Sequence, residues 1–173
     1  MSKLDVKRPV PIELRVFAKN FKAARLAADL TQQQVHALTR MGQGYLSELE
    51  RAIANVGIDT MGELSHVVKV PLYHLLRPDF ERQYDFSNST VWRDYAQLID
   101  ESDGISYERK VFIENFKTAR LALKLKKKEI EALADISNNF LIQVERLEIG
   151  ISINHAVKLA QVVAQPLYTL LKP

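Results

Sequence analysis

The stretch that decides the fold is Leu30-Thr-Gln-Gln-Gln-Val-His-Ala-Leu-Thr-Arg-Met-Gly-Gln-Gly-Tyr-Leu-Ser-Glu-Leu-Glu-Arg51. Thr31 is a favourable helix N-cap, and the helix-forming residues behind it predict a short helix over Gln32–Leu38. The residues Arg40–Gly42 predict a break, and a further helix follows over Gln43–Arg51. The stretch therefore predicts two short helices joined by a tight turn.

Outward from this stretch, the chain repeats itself at an offset of 95 residues. Residues 17–78 align with residues 112–173 without a gap, and 24 of the 62 aligned positions are identical. Chance would make roughly one position in sixteen identical, so we interpret the alignment as a duplication. Because the two copies are separated by a spacer, they do not form a stacked array of repeats.

Each copy is predicted to be entirely helical. Alanine, leucine, lysine, glutamine and glutamate dominate both copies, and apolar residues recur at helical spacing from Phe17 to Ala28. A fourth helix is predicted from Gly57 or Asp59 to about Lys69, and a last short helix from Pro71 to about Leu76. In the second copy, Ser137 is predicted to cap the third helix.

The fold class is therefore predicted as all-α, with two tandem five-helix bundles and a partly helical spacer. We assign residues 1–78 to the first domain, with its core at 17–78, and residues 112–173 to the second. The acidic spacer covers residues 79–111, of which 79–90 are expected to be irregular. Thr90–Glu101 are expected to form an amphipathic helix that Ser102–Gly104 end.

Composition excludes several classes of protein. The chain has 173 residues, 47% of them hydrophobic and 26% charged, as in ordinary globular proteins. It has no apolar run near the roughly 18–20 residues that span a bilayer, and residues 1–14 lack the apolar core of a signal peptide. Cysteine is absent, which fits a reducing cytoplasm.

No pattern in the sequence indicates catalysis. It contains no nucleophile motif, phosphate-binding loop or catalytic triad, so we expect neither an enzyme nor a cofactor. The four histidines are scattered along the chain, and we expect no metal site from them: His36, His66, His74 and His155.

The charge distribution is mildly asymmetric. The net charge is +3, from 24 basic and 21 acidic residues. Residues 17–78 carry +2, residues 79–111 carry −4 and residues 112–173 carry +3. Basic outer blocks are compatible with nucleic-acid binding. The charge would indicate such binding only if the basic residues were clustered on one face of the folded protein.

The stretch 30–51 resembles the repressor/Cro-type helix-turn-helix family, also called the xenobiotic response element family, to which lambda-repressor-like proteins belong. The resemblance rests on Leu30-Thr31-Gln32, on the segment 45–51 ending in Leu-Glu-Arg, and on Pro71-Leu72-Tyr73. It covers each repeat, or about 124 of 173 residues, and reaches the second repeat chiefly through the duplication. The chain departs from the family pattern at six positions: His36, Arg40, Ala52, Glu131, Asp135 and Leu147.

The resemblance implies a sequence-specific, double-stranded-DNA-binding transcriptional regulator, with repression as the default output. The third helix of each repeat would enter the major groove. The resemblance also implies a bacterial or phage-encoded protein that acts on the nucleoid in the cytoplasm. The expected partner is a DNA operator, no membrane is expected as a partner, and a homodimer is an open alternative.

Candidate DNA-binding residues follow from the resemblance. Gln32 and Gln43 are expected to cooperate: one pairs with an adenine edge, while the other braces it and contacts a phosphate. At the equivalent positions of the second copy, Asn138 can pair with adenine and Lys127 can bind phosphate or guanine. The full predicted set is Thr31, Gln32, Gln43, Gly44, Tyr45, Ser47, Glu48, Arg51, Lys126, Lys127, Asn138, Asn139 and Gln143.

Two further pairs are expected to be structural. In the family, Arg25 with Glu50 forms a partly buried ion pair between the first and third helices, and Arg120 with Glu145 repeats it. The lone Trp92 of the spacer is expected to be a packing anchor.

Two questions stay open from sequence alone. The two repeats of one chain can take the place of the two subunits of a repressor dimer. Alternatively, equivalent repeats of two chains can pair, so that a homodimer presents four DNA-binding domains. The alternative function is a protein-interaction module of the antitoxin or antirepressor type. In that hypothesis the second copy is the interface, because Leu141 or Ile142 would be exposed on its third helix.

Overall fold

A computed structural model describes residues 10–173, and the regular elements in that range are all helical. The predicted all-α class is confirmed. The first nine residues of the predicted first domain lie outside the described residues. The helices are α1 Ile12–Ala27, α2 Gln32–Thr39, α3 Gln43–Glu50, α4 Ile58–Val68, α5 Leu72–Leu75, α6 Phe80–Gln83, α7 Thr90–Ala96, α8 Tyr107–Ala122, α9 Lys127–Ala134, α10 Asn138–Glu145, α11 Ile153–Val162 and α12 Leu167–Leu170.

The helices α8–α12 follow α1–α5 in the same order, and each begins 95 residues after its counterpart. We call α1–α5 the first helical set and α8–α12 the second helical set. The positions with positive φ outside glycine also form pairs at this offset, and all of them lie at or near helix ends: Asp29 and Lys124, Arg40 and Asp135, Ala52 and Leu147, Lys69 and Ala164.

Local chemistry explains where the central helices begin and end. The Thr31 hydroxyl accepts from the backbone N–H of Gln34, whose side chain accepts from the Thr31 N–H in return. Ser137 caps α10 by accepting from the Phe140 N–H at 3.1 Å. The turn after α2 is closed by Arg40 at φ 61°, a left-handed conformation that costs a non-glycine residue about 1–2 kcal/mol.

Each set closes its own apolar core around stacked phenylalanines on its first helix. The rings of Phe17 and Phe21 lie 5.9 Å apart, and all four phenylalanines of this kind are fully buried. The buried amide of Asn20 donates to two carbonyl groups at the end of α5, and Asn115 does the same at the end of α12. These bonds attach the last helix of each set to the first.

The spacer is more ordered than its sequence predicted. Residues 79–90 were expected to be irregular, but they contain α6, because the Phe80 ring is 1% exposed and stacks on Tyr84 at 4.9 Å. The helix predicted to reach residue 101 ends at Ala96, which leaves Leu98 half exposed. Helix α8 begins at Tyr107, so the predicted spacer overlaps it by five residues.

The two sets pack against each other through reciprocal contacts. The Ile58 N–H donates to the Ile151 carbonyl at 3.0 Å, and the Ile153 N–H donates to the Val56 carbonyl at 2.8 Å. Ile151 and Ile153 stand 95 residues after Val56 and Ile58, so each set offers the other the same donor and acceptor. Such reciprocity is the property of a twofold interface. Around it, α5 packs on α12, α4 on α8 and α1 on α11.

The α4–α8 side of this contact is ionic. Glu108 is 0% exposed, and its Oε1 accepts from His66 Nε2 and from the Tyr95 hydroxyl, each at 2.7 Å. Nearby, Asp59 accepts from the Ser106 hydroxyl and lies 3.2 Å from Arg109 Nε. Trp92 packs between the rings of His66 and Tyr95, as expected of an anchor.

The buried pair perturbs both of its members. Burial by itself lowers the pKa of His66, but the hydrogen bond and charge of Glu108, with Glu101 and Glu63, raise it above its ordinary value. Burial would raise the pKa of Glu108, but His66 and the Tyr95 hydroxyl hold it below its ordinary value. Both shifts favour the ionic form of the pair, a protonated His66 beside an ionised Glu108.

We expect the protein to lose stability as pH rises above about 6.5. A histidine whose pKa is raised by folding stabilises the folded state fully below its unfolded pKa, and that contribution is lost as pH rises through the folded pKa. Thermal unfolding between about pH 6.5 and about pH 8.5 measures this loss, and His66→Gln should flatten it. An unchanged slope in His66→Gln would contradict the ionic pair.

Candidate nucleic-acid interface

The helix-turn-helix of the first set is held by one buried carboxylate. Glu50, at the end of α3, accepts from Arg25 Nε at 2.5 Å, from the second terminal nitrogen of Arg25 at 3.0 Å and from Gln32 Nε2 at 2.9 Å. Arg25 is 7% exposed and also donates to the Leu30 carbonyl. The carboxylate therefore joins α1 and the start of α2 to the end of α3.

The second set uses the same arrangement with a different partner. Glu145 accepts from Arg120 Nε at 3.0 Å, and Arg120 donates to the Leu125 carbonyl. Lys127 takes the place of Gln32, with its ammonium 2.9 Å from Glu145. Both ion pairs expected from the family are thus present in the structure.

Gln32 and Lys127 differ from the expectation in one respect. The resemblance implied that one of Gln32 and Gln43 braces the other, but none of the hydrogen bonds within residues 10–173 joins these two side chains. The Gln32 amide nitrogen is instead directed to Glu50. Lys127 is likewise paired with Glu145, although more than a third of its side chain is exposed.

The start and outer face of α3 form an open polar surface. Gln43, Gly44, Glu48 and Arg51 are exposed, while Ser47 is half-buried. A side chain at position 44 would meet nothing within 4 Å, so the backbone here is approachable from outside. Thr31, at the start of α2, is also exposed.

Tyr45 is an anchor within this surface. Its ring is half-buried, its hydroxyl donates to the Asn55 carbonyl at 3.1 Å, and burial raises its pKa. Its counterpart Phe140 packs on the ring of His155 with centroids 4.6 Å apart. Both aromatic side chains thus connect the third helix to the loop or helix that follows it.

On α10 the equivalent polar surface is partly recessed. Asn139 and Lys126 are exposed, whereas Asn138 and Gln143 are half-buried. Leu141 is 0% exposed and lies in the core, so the expectation that it is exposed for a protein interface is wrong. Ile142 is half-buried. Exposed cations flank this surface at Lys126, Lys128 and Arg146.

The expectation that the four histidines form no metal site stays a prediction, and one of them, His66, lies beside two carboxylates. His66, Glu101 and Glu108 are brought together, with one candidate ligand atom of each within 4.8 Å of the others. His66 and Glu108 satisfy each other directly through their hydrogen bond. This cluster lies between the two helical sets and outside the predicted DNA-binding residues. Gly62, Tyr95 and Glu108, which pack with His66 here, were not predicted from the sequence, although Gly62 and His66 differ from their counterparts Val157 and Gln161.

Breaking the buried pair in the first set should destabilise the protein strongly. Arg25→Met leaves the Glu50 carboxylate buried with Gln32 as its remaining partner, and we expect a loss of about 3–5 kcal/mol in the free energy of unfolding. Because the loss comes from the unpaired charge, the double variant Arg25→Met/Glu50→Leu should lose less than the single one. Urea unfolding measures both.

Arg51→Met is the matched control for this experiment, since Arg51 is exposed and directly follows Glu50, and the change also removes one positive charge. It should change stability by less than about 0.5 kcal/mol. A loss in Arg25→Met no larger than in Arg51→Met would show that the pair does not hold the helices.

Among the described residues, no helix combines the length and apolar character that crossing a membrane requires. No curated protein and no solved structure matches the chain. Residues 21–75, from the middle of α1 to the end of α5, match the model of the family described as helix-turn-helix. The match covers less than half of the chain, and it supports a helix-turn-helix of the repressor/Cro type and a DNA-binding regulator of that type.

Proposed function

We propose that the chain is a sequence-specific regulator that binds double-stranded DNA with two heads, formed by the first and second helical sets. Each head would place its third helix, α3 or α10, in the major groove. The regulator would act in the cytoplasm as a repressor, because occupying a promoter is sufficient for repression and needs no further contact.

One observation supports this proposal above the others. The exposed polar start of α3 sits on a frame fixed by a buried ion pair, inside the segment that matches the helix-turn-helix family. The start of α10 is placed by an equivalent pair at an offset of 95 residues. Preorganised polar side chains on a rigid helix are what base recognition requires.

The proposed base contacts are made from the helix starts. Gln43 can donate to and accept from an adenine edge, and Gly44 lets the backbone approach the groove. Asn138 and Asn139 offer carboxamides at the same positions of α10, so the second head would contact a different half-site. The residues Thr31, Gln32, Ser47, Glu48 and Arg51, with Tyr45 as anchor, complete the first surface, and Lys126, Lys127 and Gln143 complete the second.

Phosphate contacts should be stronger in the second head. Lys126, Lys128 and Arg146 are exposed around α10, with Arg146 3.8 Å from Glu148, whereas the first head has Arg40 and Arg51, the latter near the acidic Glu48. Each phosphate neutralised by a cation releases counterions, so this head would contribute most of the salt dependence.

Pairing of both heads within one chain is favoured over pairing of like heads between chains. The reciprocal hydrogen bonds of Ile58 and Ile153 already use the twofold surface of each set inside the molecule. The loops that carry these bonds directly follow α3 and α10, so the ends of both helices approach the pseudo-twofold axis. Two half-sites about one helical turn apart match such an arrangement.

A protein-interaction role is the second candidate. It is favoured by three exposed leucines of the second set, Leu121, Leu123 and Leu133. Salt separates the two candidates, since DNA binding weakens steeply as salt is raised and an apolar interface does not.

Selection of binding sites from a random duplex pool tests the proposal. We expect two different half-sites at fixed spacing for the wild type, with sequence preference lost at one half-site in Gln43→Ala and at the other in Asn138→Ala. Each variant should bind its selected duplex about 10-fold or more weakly, since a bidentate base contact discriminates by about 1–3 kcal/mol.

Thr118→Ala, an exposed change on α8 away from both helix starts, is the control and should select the wild-type sequence. Enrichment of one half-site, lost only in Gln43→Ala, would restrict DNA binding to the first head. Failure to enrich any sequence at low salt would refute DNA recognition and favour a protein partner.

A further inference from the structure

We propose that Glu108 is a positioning residue that locks the first helical set onto the second and thereby fixes the spacing of the two third helices. The part of this inference that concerns operator spacing rests on the proposed function. We call the contacts of Glu108 with Gly62, His66 and Tyr95 the lock. The lock is a property of the protein alone and can be tested without DNA.

The lock occupies only one side of a nearly symmetric interface. On that side α4 packs on α8, and on the other α11 packs on α1. The counterpart of Glu108 is Glu13, at an offset of 95 residues on α1, and within residues 10–173 it makes no hydrogen bond or ion pair. The carboxylate has therefore been recruited into the interface on one side alone.

The residues that accommodate and pair with the buried Glu108 carboxylate are present on this side of the interface and are replaced on the other. A Cβ on Gly62 would lie 2.5 Å from Glu108 Oε2, so the buried carboxylate needs a glycine here. The equivalent residue on the other side is Val157, and the partner His66 is replaced by Gln161. The space and the positive charge for a buried carboxylate thus exist on α4 and are lacking on α11.

The spacer closes the lock. Tyr95 on α7 is buried, and its hydroxyl donates to the same Glu108 oxygen as His66 does. Its ring also contacts Tyr73 on the first set and Tyr107 on the second, with centroids 6.0 Å and 5.6 Å apart. One carboxylate therefore connects the first set, the spacer and the second set.

This asymmetry determines which sets can pair. If two copies of the second set used the same surface, each Glu108 would face Val157 and Gln161, with no positive partner for a buried charge. Pairing of the first set with the second avoids this, and the spacer holds both at high effective concentration within one chain. The lock therefore favours pairing of the first set with the second and opposes pairing of two second sets.

The distance between two spin labels tests the lock directly. The chain has no cysteine, so Lys22→Cys and Lys117→Cys place one label on each set, at exposed equivalent positions of α1 and α8. Pulsed electron–electron distance measurements should give one narrow peak in this background. Adding Glu108→Ala should broaden or split the peak, because the sets lose their fixed orientation.

Glu13→Ala removes the equivalent carboxylate from the other side and is the matched control, which should retain the narrow peak. If Glu108→Ala unfolds the protein by circular dichroism, Gly62→Ala replaces it, since the added methyl group displaces the carboxylate while every polar group remains. A narrow, unshifted peak in the folded Glu108→Ala or Gly62→Ala variant would overturn the proposal.

A second arm measures operator spacing. On duplexes selected by the wild type, moving one half-site by half a helical turn should weaken wild-type binding roughly 100-fold, since only one head can then engage. Glu108→Ala should lose less than about 10-fold, because its heads can reorient on the spacer. Absence of DNA binding by the wild type would refute the proposed function and leave the spin-label result intact. Equal losses in wild type and variant would refute the role of Glu108 in spacing.

Discussion

The arrangement of the whole molecule depends on two backbone hydrogen bonds between the loops that follow α3 and α10. Each loop gives the other one N–H and one carbonyl, through Ile58 and Ile151 and through Ile153 and Val56. Because these loops directly follow the two candidate DNA-binding helices, the contact that joins the halves also limits where the helix ends can lie. The pairing of the two helical sets and the proposed DNA recognition by α3 and α10 are therefore coupled through a few backbone residues.

Buried charge serves two separate purposes in this fold. Within each set, Glu50 or Glu145 joins the third helix to the first through an arginine, and to the start of the second through Gln32 or Lys127. Between the sets, Glu108 joins α8 to α4 and to the spacer. Each of these carboxylates would be costly without its partner, so each specifies one arrangement more than it adds stability. The two levels of order that the proposed two-site recognition requires thus use the same chemistry.

The sequence could predict the helix bounds and core positions that depend on neighbouring residues or that are shared by the two repeats. Thr31 and the break at Arg40–Gly42 located α2 and α3 to within one residue of their bounds. The core position of Leu141 was missed although its counterpart Leu46 is identical, so the signal was available. The lock around Glu108 could not be predicted, because Gly62, Tyr95 and Glu108 come from three elements whose packing only the fold determines.

The central claim is that one chain places two heads on one operator, and the stoichiometry of the complex tests it most directly. Native mass spectrometry would be applied to the wild-type protein with a duplex that carries both selected half-sites. The account predicts one chain per duplex, at protein concentrations from below to above saturation. A complex with two chains per duplex and none with a single chain would contradict it, because each head would then be paired with its counterpart in another molecule.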